Sequence, residues 1–151
     1  MPSKEEYLGE ILVRKGYINN KQLQEALIIQ KGSKDFLGKI LLQLNYLCEK
    51  DLLEALSEQF SVEVVNLQYQ YIDWKFVSKF SPSLIVDHRC MPIRQDDWSV
   101  TVAVTNPLDT WALKRAEDEA GGFKLRLVLV TENDMNEAIA RYQKFIRSKY
   151  F

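Results

Sequence analysis

Residues 7–30 reappear, altered, as residues 36–59, and this duplication restricts the fold more than any other feature of the chain. Tyr7-Leu8-Gly9-Glu10-Ile11-Leu12 realigns on Phe36-Leu37-Gly38-Lys39-Ile40-Leu41 at an offset of about 29 residues, with roughly eleven identities over about 24 positions. Leu8/Leu37, Gly9/Gly38, Tyr17/Tyr46, Leu23/Leu52, Glu25/Glu54, Leu27/Leu56 and Gln30/Gln59 are among the matched pairs. A supersecondary unit written twice buries its apolar face by stacking on its copy. Each copy reads as two short helices. Leu8, Ile11 and Leu12 fall at i, i+3 and i+4, and Gly16 follows where a left-handed stop is wanted. Asn45 takes that place in the second copy, the other residue type that tolerates the conformation. Asn19 and Gln22 form a capping box for the second helix, whose inner face is Leu23, Ala26, Leu27 and Gln30. Cys48 with Asp51 is a weaker version.

Beyond Phe60 the pattern shifts to β-branched and alternating residues. Short strands are predicted over 63–67, 89–94, 98–104 and 124–130, the third with one face buried. Helices are predicted over 73–80, from Ser81-Pro82, from Asn106-Pro107-Leu108-Asp109 to Ala120, and from Thr131 towards Ser148. Asp96-Asp97 reads as a hairpin turn and Gly121-Gly122 as a helix stop. The expected class is α+β: a duplicated helical hairpin of four helices over 1–60, packed on a small sheet of three to four strands over 61–151 with helices on one face. Length permits this, since 151 residues suffice for one medium domain or two small subdomains.

Composition narrows the function. Twenty Lys and Arg against 21 Asp and Glu leave a formal charge of -1, so no broad cationic field grips a nucleic-acid polymer. No apolar run approaches the roughly 20 residues that span a bilayer, and no signal-peptide pattern is present, so a reduced, cytoplasmic setting without membrane insertion is expected. His88 is the sole histidine, Cys48 and Cys90 lie far apart in sequence, and there is no phosphate-binding loop of the G-x-x-x-x-G-K type. These absences point away from catalysis. The pairs Glu5-Glu6 and Asp96-Asp97 read as solvated helix-start and turn residues. Trp74, Trp98 and Trp111 are expected in the core.

Glycine inside a helix costs about 1 kcal/mol relative to Ala, so its recurrence at Gly9 and Gly38 predicts a close approach to the backbone in both copies. Gln30 and Gln59 extend apolar stripes, where an amide needs partners. Two readings fit. The glycines can let helices cross tightly while the glutamines bond loop backbone, or two equivalent half-sites can hold a ligand made of two like halves.

The paired Leu-Gly-x-Ile-Leu, the terminal Leu-x-x-Ala-Leu-x-x-Gln and the later Asn-Pro-Leu-Asp resemble the MshEN family, the N-terminal domain of type II secretion and type IV pilus assembly ATPases. The resemblance implies a regulatory or docking module with no required cofactor and with cyclic di-GMP as candidate ligand. It also implies an ATPase core or an inner-membrane platform protein as partner. Carried over by position, Tyr7, Leu8, Gly9, Leu23, Leu27 and Gln30 match the first ligand motif, and Phe36, Leu37, Gly38, Leu52, Leu56 and Gln59 the second. Asp109 matches an acidic position that faces a guanine edge. The family's arginine before Leu-Gly is Tyr7 in one copy and Phe36 in the other, which removes a charged donor fork from each half. A non-enzymatic regulatory domain with a degenerate motif is therefore the leading expectation, and a functional cyclic di-GMP receptor the alternative.

Overall fold

The computed structural model of the chain describes residues 4–150, with the side chains of 5, 6 and 150 excepted; Glu5-Glu6 thus lies outside the described side chains. It forms two compact units, residues 1–61 and 62–151.

The first unit contains α1 (Lys4–Arg14), α2 (Asn20–Lys31), α3 (Leu37–Gln43) and α4 (Glu49–Phe60). Both interhelical stops are built alike. Gly16 has φ +80° and Asn45 φ +61°, and each is locked by a matched pair of backbone bonds. Tyr17 N–H donates to Leu12 C=O and Gly16 N–H to Val13 C=O; Tyr46 and Asn45 repeat this on Leu41 and Leu42. The Asn19 capping box forms as expected, whereas Cys48 makes no side-chain cap. Helix α1 packs on α4 and α2 on α3, so each copy's first helix meets the other copy's second. Leu8, Leu12, Leu37 and Leu41 are wholly buried.

The second unit is a four-stranded sheet ordered β1-β4-β3-β2, with β1 at Glu63–Val64, β2 at Cys90–Gln95, β3 at Ser99–Val104 and β4 at Lys124–Leu129. Strands β2 and β3 form an antiparallel hairpin, while β4 runs parallel to both β3 and β1. Helix α6 (Thr110–Ala120) joins β3 to β4, and α7 (Glu132–Tyr150) closes the chain. The α+β class is the one expected, with four local corrections. The strand predicted over 63–67 has two residues, because the Asn66 side chain accepts from Gln68 N–H and turns the chain into a 3-10 segment at Leu67–Tyr69. The helix predicted over 73–80 is a single turn, α5 (Trp74–Val77), capped by Asp73 and ended by tight bonds from Lys79 to Phe76 and Phe80 to Val77. Ser81-Pro82 leads not into an α-helix but into one wide π-turn, Ser83–Asp87. Strand β3, expected to bury one face, is buried on both, since Val100, Thr101, Val102, Ala103 and Val104 are all inaccessible. Successive side chains point to opposite faces of the sheet, so burial of every residue from Val100 to Val104 means that both faces are covered along this strand.

Proline sits inside β2 at an irregularity. Pro92 opposes Val102 and Arg94 opposes Thr101, so Ile93 is an extra, bulged residue. Its carbonyl accepts from Asp73 N–H at 2.9 Å, tying the bulge to the start of α5.

Candidate functional site

Each repeated glycine makes room for a leucine side chain. A Cβ on Gly9 would stand 2.7 Å from Leu23 Cδ1, and one on Gly38 2.9 Å from Leu52 Cδ1. The group that approaches each helix backbone is the leucine of the same copy. Leu8, Gly9, Leu37, Gly38, Leu23 and Leu56 are buried, whereas Leu27, Leu52, Gln30, Gln59 and Phe36 are half-buried and Tyr7 is 48% exposed. Only these last six could meet a ligand without rearrangement.

The glutamines and tyrosines exchange between copies. Gln59 Nε2 donates to the Lys4 carbonyl at 2.9 Å, and Gln30 Nε2 to the Asp35 carbonyl at 3.4 Å. Each amide thus holds backbone just ahead of the other copy's Leu-Gly. Tyr17 Oη donates to Glu54 Oε2 and Tyr46 Oη to Glu25 Oε2, both at 2.6 Å. The pairs are related by the repeat itself, as expected of a twofold-like arrangement in which each half takes residues from both copies. Sequence reasoning missed the tyrosines and glutamates, although the signal was there: Tyr17/Tyr46 and Glu25/Glu54 are polar identities in a repeat whose other matches are mostly apolar. Gln59 Oε1 is buried and has no partner among the described residues.

Electrostatics follow from these contacts. The hydrogen bond to Glu54 raises the Tyr17 phenol to about 12, and Glu25 raises Tyr46 in the same way. Glu54 is lowered in return, chiefly by Tyr17 and then by Lys15. The positions before Leu-Gly supply no charge. Of the lysines flanking them, Lys39 pairs with Asp35 at 3.2 Å and Lys4 stands over the Phe60 ring at 5.8 Å, whereas Lys34 is exposed.

Asp109 lies in the second unit, where its carboxylate accepts from Ala112 N–H at 3.1 Å and caps α6. His88 packs against Trp111 with the rings tilted by 52° and their centroids 4.5 Å apart, and Arg115 stands 5.7 Å from the Trp111 ring. Two tryptophans contradict the core expectation: Trp98 is 83% and Trp111 58% exposed, and Trp74 is half-buried. Trp98 projects from the β2–β3 turn, and Trp111 lies on the outer face of α6 under His88 and Arg115. Asp96 serves that turn by accepting from Trp98 N–H and Ser99 N–H, which lowers its pKa. Cys90 is buried, and burial pushes its thiol up to about 12, so it is inert. No group of three or more His, Cys, Asp or Glu able to hold a metal ion occurs among the described residues, nor does a helix long and apolar enough to cross a membrane.

The chain joins a repeated helical hairpin to a β1-β4-β3-β2 sheet, and comparison with known proteins names the class. The chain belongs to the MshEN domain family, whose model matches residues 60–149, more than half of the chain. The type IV pilus assembly ATPase PilB of Myxococcus xanthus (strain DK1622) is 27% identical over 135 residues, covering 89% of this chain but 24% of that protein, so the chain spans about a quarter of that relative's length. A solved structure of MshE with cdg superposes with a TM-score of 0.80 at 27% identity, over 89% of this chain and 97% of that one. The N-terminal domain of XpsE superposes with a TM-score of 0.76 at 19% identity, over 93% of this chain and 96% of that one, which shows a shared fold. The family match begins only at the end of α4, beyond both copies of the repeat.

Proposed function

We propose that the chain is a non-enzymatic regulatory and docking domain serving the ATPase of a type II secretion or type IV pilus assembly system, on the cytoplasmic side, with a tandem motif that has lost most of its hold on a cyclic dinucleotide. One observation carries this reading. The amide N–H groups of Gln30 and Gln59 hold backbone ahead of the other copy's Leu-Gly, while the positions that would bring charge to a ligand carry Tyr7 and Phe36. A phosphodiester buried without a cationic partner is poorly held. The relationship to PilB supports the ATPase setting, and a domain that acts through its surface needs no catalytic group of its own.

The alternative, a functional receptor, draws support from the likeness to MshE, whose structure contains cdg, read as cyclic di-GMP. The rings of Tyr7 and Phe36 offer stacking faces for purines. Isothermal calorimetry separates the two. The unaltered chain is expected to give no saturable heat with cyclic di-GMP below about 1 mM. Micromolar binding would establish the receptor, and ATP hydrolysis by the purified chain would remove the non-enzymatic part of the proposal.

A further inference from the structure

The second half of α7 carries charge of one sign. After Glu137 the sequence contains Arg141, Lys144, Arg147 and Lys149 and no acid, in a chain whose formal charge is -1. Positions 141, 144 and 147 fall at i, i+3 and i+6, so each is the next one's neighbour on the helix surface. All three are exposed and form no ion pair among the described residues. Cations in a helix's last turn answer its dipole, which accounts for Arg147 and Lys149 but not for Arg141 and Lys144. The acids of the same helix are engaged elsewhere. Glu132 pairs with Arg89 at 2.7 Å, Asp134 accepts from Leu67 N–H at 3.1 Å, and Glu137 accepts from Gln68 Nε2 at 3.0 Å.

Those last two bonds bring the loop that leads into α5 against the helix. Gln68 and Ile72 meet Ala138 and Arg141 around a cavity of about 10 Å³. On the same loop Tyr69 is 83% and Tyr71 73% exposed, and Gln70 between them accepts from Arg94 Nη1 at 3.3 Å. Arg94 is half-buried and has no carboxylate partner among the described residues. A guanidinium that has lost part of its water without gaining a counter-ion is costly. One stretch of surface thus joins two tyrosine rings held in water to Arg94, Arg141 and Lys144.

We infer that this surface rests on an anionic lipid bilayer, with its cations at the headgroup phosphates and Tyr69 and Tyr71 at headgroup depth. Tyrosine is amphipathic and settles where water meets acyl chains, while Lys and Arg are drawn to a negative leaflet. The shape of the surface selects this occupant over an acidic protein segment. The cavity between loop and helix holds at most one water, so a partner's anchor side chain finds no pocket in it, and a headgroup layer needs none. The contact is adsorption, with no segment crossing the bilayer. The inference does not rest on nucleotide binding.

Co-sedimentation of the full chain with lipid vesicles is the test. Vesicles mixing phosphatidylglycerol with phosphatidylcholine are expected to bind it at least about tenfold more tightly than pure phosphatidylcholine in about 0.1 M salt, and about 1 M salt should abolish the difference. Arg141→Glu with Lys144→Glu, both at exposed positions, should weaken binding to the anionic vesicles by about tenfold or more. Lys21→Glu with Lys31→Glu, the same change of charge at exposed positions of the first unit, should weaken it by less than about threefold. Tyr69→Ser with Tyr71→Ser leaves the charge unaltered and should also weaken binding, by about threefold or more. No binding, equal binding to the two kinds of vesicle, equal losses from the two charge reversals, or unchanged affinity in the tyrosine variant would overturn the inference. Binding of a poly-glutamate peptide in place of vesicles would assign the surface to an acidic protein and overturn it as well.

Discussion

Leu37→Ala is expected to lower the stability of the chain by about 2–5 kcal/mol, and Leu8→Ala by a similar amount, because both side chains are wholly buried. The two leucines are equivalent in the repeat, and each begins the apolar face of its copy's first helix, with Ile11 and Leu12 or Ile40 and Leu41 behind it. Truncation leaves a cavity that neighbours on a fixed helix fill only in part. For a chain of this size the loss corresponds to a fall in melting temperature of roughly 5–20 °C. Ile28→Ala is the control: Ile28 is 68% exposed, and its replacement should change stability by no more than about 0.5 kcal/mol. Thermal unfolding of the three variants measures the difference. Leu8 and Leu37 match ligand-motif positions, so a large stability loss at both would assign them to the core of the hairpin pair.

The second large effect concerns affinity. Introducing Tyr7→Arg and Phe36→Arg together should tighten cyclic di-GMP binding at least a hundredfold over the unaltered chain. A hydrogen bond to a charged group contributes about 1.5–3 kcal/mol, and two are added, one per half. The positions suit the exchange. Tyr7 is exposed, one helical turn from the Lys4 carbonyl that Gln59 holds, and Phe36 follows the Asp35 carbonyl that Gln30 holds. Neither substitution removes a hydrogen bond of the repeat. Calorimetry on the double variant reads the gain, and unchanged affinity would mean that the two half-sites do not form a nucleotide cleft.

How far the fold could be read from residues depended on whether the deciding interaction was local. The stops at Gly16, Asn45 and Gly121, the cap at Asn19 and the turn at Asp96 are set by residues within a few positions of one another, and all were readable. Strand β1 was overestimated because Asn66 turns the chain after Val65, and the β-branched run before it carries no sign of that. Trp98 and Trp111 were misjudged for a different reason. Alternation and helical spacing report which face a residue occupies, but exposure depends on whether anything covers that face, and at a hairpin tip or on the outer side of α6 little does. Among the motif residues, spacing correctly required a close contact at Gly9 and Gly38 but could not say that Leu23 and Leu52 supply it. The exchange of Gln30 and Gln59 between copies is a property of three-dimensional pairing, and a one-dimensional repeat contains no trace of which copy meets which.

That exchange underlies everything proposed for the first unit, and a pair of double-mutant cycles on folding stability tests it. Tyr17→Phe combined with Glu54→Gln, and Tyr46→Phe combined with Glu25→Gln, should each show a nonzero coupling energy of similar size, because these side chains bond at 2.6 Å across the copies. The within-copy combination of Tyr17→Phe with Glu25→Gln should be additive. Coupling within a copy, with additivity across the two, would mean that each hairpin closes on itself, and the shared arrangement described here would be wrong.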